Sequence, residues 1–264
     1  MLVTGAGSGL GAAIAAAAAE AGWQVGVLDR DGDAASRAAA SIGTAAVALT
    51  ADTRDETAID AALDAFAAAT GAPAPDAVVC NAGVVRFGPL LELHADDWHA
   101  VVDVNLTGTF VTARAVARRM IAAGTRGSIV AITSMNGVAP GPHAGAYGAT
   151  KAGVARLAQQ MALEWGPLGI RVNAVAPGLI DAGMSEAVYA DPEIRRRRAE
   201  RVPLRRLGTA SEVAAVVLFL LSEGAAYVNG TELLVDGGVA VSVIASLPRP
   251  LGVDGVGTGD ASGS

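Results

Sequence analysis

Cysteine is nearly absent from this 264-residue chain. Cys80 stands alone, so no disulfide can close within it, and three scattered histidines give no cluster spaced for a structural metal. That composition fits a reducing, cytoplasmic setting, and no metal is expected. Positive charge is scarce as well. Lys and Arg total 19 against 26 Asp and Glu, a formal net charge of −7 with a pI near 4.9. Nucleic acid and anionic membranes, which are held by neutralising phosphates, are therefore excluded as partners. No charged leader with an apolar run and a cleavage site is visible ahead of the first motif. The alanine-rich stretch from Ala12 to Ala21 is broken by Glu20 and too short to cross a bilayer.

What is present is apolar sequence, 52% of the residues, enough for a sizeable core. Short β-branched runs recur along the chain: "MLVT", "QVGVLD", "AAVALTAD", "DAVVCNAG", "GSIVAIT", "IRVNAVAPG" and "TELLVDGG". Each is followed by a longer Ala/Leu-rich segment of helical spacing. Runs without polar alternation predict strands buried on both faces, hence a parallel sheet covered by helices, an α/β doubly wound architecture. No long polar or Pro/Gly-rich linker interrupts residues 1–243, which predicts one domain. Residues 244–264, rich in glycine with two prolines in "LPRP", read as a partly flexible extension.

The first strand runs into "TGAGSGLG", with glycines at 5, 7, 9 and 11, Ser8 and Leu10 between them, and an Ala-rich helix after. Side chains are missing where backbone N–H groups and a helix N-terminus would approach a pyrophosphate. A Gly-rich turn alone is weak, but this one is the first βα turn. Asp29 then ends the second strand, where a carboxylate can hold ribose hydroxyls. A carboxylate repels a 2′-phosphate, so NAD is expected over NADP. Arg30 beside it could bind phosphate but reads more simply as a solvated loop charge.

In "AYGATKAG", residues 146–153, Tyr147 and Lys151 stand four apart, one above the other on a helix predicted over 147–165. A phenol titrates near 10 and is a poor base at neutral pH. An ammonium about 4 Å away in a medium of effective dielectric near 20 contributes roughly 4 kcal/mol before desolvation, enough to bring phenolate within reach. Such a pair is usually only a surface contact. Its company changes the reading: "AITSMNG" places Ser134 at a strand's C-terminal end, where ligands bind in open α/β sheets.

The chain resembles the short-chain dehydrogenase/reductase family in its plain single-domain, Rossmann-like form. The glycine turn, "NAG" at 81–83, "DVNLTG" at 103–108, Ser134, "YGATK" at 147–151, "APG" at 176–178 and "VDGG" at 235–238 stand in the family's order. The resemblance implies an NAD(P)-dependent oxidoreductase interconverting a secondary alcohol and a ketone. In it Tyr147 is the general acid/base, Ser134 orients the substrate oxygen, and Lys151 lowers the phenol's pKa and holds the nicotinamide ribose. Asn105 would anchor a water relaying protons to Lys151. Cofactor contacts carried over are Gly5, Ser8, Gly9, Leu10, Gly11 and Asp29; Asp52 and Thr53 at the adenine; Asn81, Ala82 and Gly83 on the adenosine side; and Pro177, Gly178 and Ile180 at the nicotinamide. A homotetramer is also implied.

Two departures stand out. Only four residues precede Gly5, so either the true start lies upstream or the central strand is clipped. Ala182 occupies the position where the family often has a threonine, leaving Ile180 backbone groups to hold the carboxamide. Substrate specificity is expected from residues 136–143 and 181–206, with Asn136, His143 and Met184 as candidates, although Asn136 before Gly137 equally suits a turn. Cys80 reads as packing. The run "EIRRRRAERVPLRR" is read as a solvated helix face, the competing reading being a dock for an acidic carrier, as in NADPH-dependent 3-oxoacyl-carrier reductases. A non-catalytic dinucleotide-binding subunit is the remaining alternative. The tail from Ser246 onward is expected to cross to a neighbouring subunit.

Overall fold

The computed structural model describes residues 1–242. The expected end of the domain at Val243 and the tail from Ser246 lie outside the described residues. The first half runs β1 (Leu2–Thr4), α1 (Gly9–Glu20), β2 (Val25–Asp29), α2 (Gly32–Ile42), β3 (Ala46–Thr50), α3 (Glu56–Thr70) and β4 (Ala77–Cys80). Then come α4 (Ala95–Val102), α5 (Gly108–Ala122), β5 (Gly127–Ile132), α6 (Met135–Val138) and α7 (Tyr147–Trp165). The last part holds β6 (Ile170–Pro177), α8 (Glu186–Tyr189), α9 (Pro192–Arg201), α10 (Ala210–Leu221) and β7 (Glu232–Val235).

All seven apolar runs are strands of one parallel sheet, ordered β3-β2-β1-β4-β5-β6-β7. The order reverses between β1 and β4, which opens a crevice at their carboxyl ends. β1 is the short central strand: it pairs three residues with β2 and two with β4, whereas β2 and β3 pair over five.

Successive strand residues alternate between two cores. Leu2, Val78, Ile129 and Val172 pack with Phe66, Met120, Val154 and Met161 from α3, α5 and α7. Val3, Val79, Val130 and Val175 pack with Ile14, Val213, Val217 and Leu220 from α1 and α10. Both sheet faces are thus buried, which is why the strands read as continuous apolar runs rather than alternating ones.

The strands end before the apolar runs do. "DAVVCNAG" stops pairing at Cys80, "AAVALTAD" at Thr50, and "TELLVDGG" at Val235. Beyond those points the chain leaves the ladder and builds loops, and the loops carry the site.

Candidate active site

One cavity of about 380 Å³ lies over the crevice, lined by the glycine turn, Asp29, Asp52 and Thr53, Asn81 to Val84, Ser134, Tyr147, Lys151, Pro177, Gly178, Ile180 and the segment 182–185. The glycines are required by contact. A Cβ on Gly11 would stand 2.2 Å from the Gly5 carbonyl oxygen, one on Gly9 2.8 Å from Gly183 Cα, and one on Gly5 2.8 Å from Ala82 Cα. Gly5 and Gly9 also take φ of 61° and 55°, the left-handed region where L side chains are strained. Ser8 caps α1 in extended geometry without a side-chain bond, and the helix has no acid in its first turn. Its N-terminus is left open to an anion, so the residues present fit a dinucleotide pyrophosphate.

Asp29 is fixed from two sides: Gly7 N–H donates to Oδ2 at 3.0 Å and Asp31 N–H to Oδ1 at 3.0 Å. Each oxygen keeps acceptor capacity for a ribose hydroxyl. Asn81 serves as a brace: its Nδ2 donates to the carbonyls of Thr4 (3.0 Å) and Gly5 (3.1 Å), tying the ends of β4 and β1 together. Thr4 Oγ1 in turn accepts from the N–H groups of Asn81 and Ala82 at 3.0 and 3.1 Å. Asp52 lines the cavity with its carboxylate already clasped by Arg54, Nη2 at 2.7 Å and Nε at 3.0 and 3.2 Å. That pairing holds it below the usual carboxylate range. Thr53 is buried against Gly108, where a Cβ would approach its Oγ1 to 2.6 Å.

α7 begins at Tyr147, as the spacing predicts, and places Lys151 one turn on. Lys151 is buried and donates from Nζ to the Ile132 carbonyl at 2.7 Å. Ser134 is the N-cap of α6 and accepts from Asn136 N–H at 3.2 Å. Asn105 sits fully buried in a π-helical turn, Asp103–Thr107, between α4 and α5. Its Oδ1 accepts from Val84 N–H (2.8 Å), and its Nδ2 donates to Val84 O (2.9 Å) and Thr150 Oγ1 (3.3 Å). Both ends of that amide brace the loop after β4 against α7, where the resemblance implied a water anchor.

Met184 lines the cavity; Asn136 and His143 do not. Asn136 serves the Ser134 cap, and His143 takes φ 60° in the turn ahead of α7, its carbonyl accepting Gly88 N–H at 2.9 Å with the ring exposed. The geometry gives both residues turn duties rather than a place on the cavity wall.

A family model described as "Enoyl-(Acyl carrier protein) reductase" matches residues 5–240. The chain is 40% identical to galactitol 2-dehydrogenase (L-tagatose-forming) of Cereibacter sphaeroides, over 90% of this chain and 94% of the relative. It is also 40% identical to a Xanthobacter autotrophicus protein named "Inactive 2-(S)-hydroxypropyl-CoM dehydrogenase 2", over 84% and 97%. A gluconate 5-dehydrogenase from Burkholderia cenocepacia, solved with NADP and tartrate, superposes with a TM-score of 0.85 at 37% identity, covering 92% of this chain and 95% of that one.

The chain belongs to the short-chain dehydrogenase/reductase family.

One electrostatic expectation for this dehydrogenase/reductase needs correction. Burial pushes the Tyr147 phenol above its ordinary value, and a hydrogen bond with the Ser134 hydroxyl pulls it only part of the way back. The ammonium does not reverse that. Nζ lies 5.5 Å from the ring centroid, bound to a carbonyl, and burial drops Lys151 itself to about 8. Desolvation, left out of the sequence estimate, outweighs the pair attraction.

Lys151 is the chain's only lysine among its 19 basic residues, so selectively labelled lysine gives one resonance. Its titration midpoint is expected near 8; a midpoint at the ordinary 10.5 would contradict the burial. Between those values the unfolded chain holds a proton the folded chain has lost, so this group makes stability rise with pH across the window. The Lys151→Met variant should lack that slope.

Sequence reasoning missed Thr4 as the tie between β1 and β4, Val84 in the cavity wall, and the π-helical turn. Thr4 opens "TGAGSGLG" and Val84 follows "NAG", so both were within reach; nothing in "DVNLTG" signals an i→i+5 turn. In the arginine-rich run, Arg195 pairs with Asp181, Arg196 with Glu193 and Glu200, and Arg206 with Glu212. Among the described residues no helix is long and apolar enough to cross a membrane.

Proposed function

We propose that this family member is an NAD(P)-dependent oxidoreductase interconverting a secondary alcohol and a ketone, with Tyr147 as general acid/base. One observation carries the reading: the glycine turn, Ser134, Tyr147 and Lys151 all open onto a single cavity. The nicotinamide cofactor, when bound, supplies the hydride acceptor or donor and, in its oxidised form, a positive charge. Ser134 orients the substrate oxygen through its hydroxyl. Tyr147 gives a proton to the ketone oxygen in reduction and takes the hydroxyl proton in oxidation. A phenol raised by burial is held protonated at neutral pH, ready to donate. Lys151 lies where it can hold the nicotinamide ribose, and Asn105 fixes the loop and helix on either side of it.

NAD(H) is favoured over NADP(H). The carboxylate of Asp29, held by two backbone N–H groups on the cavity wall, would face a 2′-phosphate with like charge. The gluconate 5-dehydrogenase neighbour holds NADP, so the cofactor choice needs its own test. Asp29→Ser should raise the NADP/NAD ratio of kcat/KM by roughly 10- to 100-fold, equivalent to about 1.4–2.8 kcal/mol. An unchanged ratio would remove Asp29 from the account.

One relative is named inactive, but this chain keeps Asn105, Ser134, Tyr147 and Lys151 together, which supports turnover over a non-catalytic dinucleotide-binding role. Nicotinamide absorbance followed over a panel of secondary alcohols and ketones decides it. A pure protein that binds NADH and turns over nothing would favour the non-catalytic reading. We also place the protein in the cytoplasm as a homotetramer. The exposed Phe110 and Ile121 of α5 and Leu163 of α7 support assembly through these helices; a monomeric mass in solution would refute it.

A further inference from the structure

β5 ends at Ile132, and the consecutive residues Ile132, Thr133 and Ser134 are each tied to a different part of the molecule. The Ile132 carbonyl accepts from Lys151 Nζ at 2.7 Å. Ser134 bonds the Tyr147 phenol and caps α6. Thr133, between them, is buried and lines the cavity. Its N–H donates to Val175 O at 2.8 Å, at the last pair of the β5–β6 ladder. Its Oγ1 lies 3.0 Å from the same carbonyl and 2.6 Å from Glu232 Oε1.

A hydroxyl carries one proton, and a carboxylate at the shorter distance is the stronger acceptor. Glu232 opens β7 opposite Ala174 of β6, so its side chain passes over β6 to reach the end of β5. Alanines at 174 and 176, on one face by strand alternation, put only methyl groups beneath that path. Among the described residues the Glu232 carboxyl has no ion pair and no other hydrogen bond. It also lies off the cavity wall, so its link to the site runs through Thr133. Without that bond, the residue whose two neighbours hold the lysine and the serine loses its side-chain anchor.

We infer that Glu232 is a positioning residue for the proton transfer: its bond to Thr133 fixes the end of β5, and so holds Ser134 at the Tyr147 phenol and the Ile132 carbonyl at Lys151. The inference rests on the oxidoreductase reading above and adds to it a residue outside the cavity. A displacement of about 1 Å at a reacting group can cost on the order of 100-fold in rate, so a clamp one peptide from Ser134 acts on kcat. The glycine turn and Asp29 follow β1 and β2, on the far side of the crevice from β7, so cofactor affinity depends little on it.

The test uses the full chain and three variants. Glu232→Leu removes the acceptor, Glu232→Gln keeps an amide oxygen in its place, and Thr133→Val removes the donor. The assay pairs NAD with cyclohexanol, galactitol or gluconate, whichever the parent turns over fastest. Glu232→Leu and Thr133→Val should each lower kcat roughly 10- to 100-fold with NADH affinity held within about threefold, and Glu232→Gln should stay within about threefold of the parent in both. The double variant Glu232→Leu/Thr133→Val should be no slower than the slower single one, because both changes remove the same bond. A kcat unmoved by Glu232→Leu, a glutamine variant as slow as the leucine one, or losses that multiply in the double variant would overturn the inference. Should Glu232→Leu fail to fold, Thr133→Val against Glu232→Gln carries the comparison. Labelled Lys151 reads the same clamp without turnover: its resonance should move in Glu232→Leu and Thr133→Val and return in Glu232→Gln. If the parent turns over none of these alcohols, nor a wider panel, the oxidoreductase reading fails, and the resonance decides the clamp by itself. A resonance that stays in place in both Glu232→Leu and Thr133→Val overturns it.

Discussion

In the Tyr147→Phe variant, kcat falls by roughly 10²- to 10⁴-fold, the usual range for removing a positioned acid/base. The change deletes one oxygen and leaves the ring in place. Among the described residues the protein interaction lost is the hydrogen bond with Ser134, so stability should shift by no more than about 0.5–1.5 kcal/mol. The pair of measurements is therefore diagnostic: turnover collapses while the thermal midpoint barely moves. Ser134→Ala should follow the same direction, because the substrate oxygen loses the hydroxyl that orients it. Turnover within about threefold of the parent in Tyr147→Phe would place the proton transfer elsewhere.

Gly11→Ala is expected to damage both fold and cofactor binding. The added Cβ would stand 2.2 Å from the Gly5 carbonyl oxygen and 2.5 Å from Asn81 Nδ2. The first obstacle is backbone and cannot rotate aside. The second is the amide that ties β4 to β1. Relief requires α1 to move off the turn, which opens the glycine cradle and breaks the Asn81 bonds together. Overpacking of this kind costs about 1–3 kcal/mol or more, read as a lowered denaturation midpoint. NADH affinity should fall at least about tenfold, the equivalent of 1.4 kcal/mol. A variant with parental stability and NADH affinity would mean that the turn is looser than its geometry states.

Much of this was legible in the residues themselves. Continuous apolar runs with no polar alternation pointed to strands covered on both faces, and the glycines clustered at the first βα turn pointed to an anion there. Tyr147, Lys151 and Ser134 came from spacing and strand-end position. The misses share a physical cause: they depend on how elements pack, which local pattern does not encode. Asn105 braces Val84 and Thr150 only because a π-helical turn aims it there. Asp52 is clasped by Arg54 because the loop after β3 folds back over two residues. His143 and Asn136 lie in turns that take them off the cavity wall. The phenol's pKa was read with the wrong sign for the free protein because pair attraction can be estimated from spacing, whereas desolvation requires knowing what surrounds the pair.

The central claim is that Tyr147 is a buried, protonated phenol in the free protein and that the positive charge of an oxidised nicotinamide, when bound, would make that phenol easier to deprotonate. The most direct test is a phenolate absorbance titration of the wild type minus that of Tyr147→Phe, with and without saturating NAD. The account predicts a free-protein midpoint above 10, the ordinary phenol value, and a lower midpoint with NAD bound. A free-protein midpoint at or below 10, or one that NAD leaves unmoved, would contradict it.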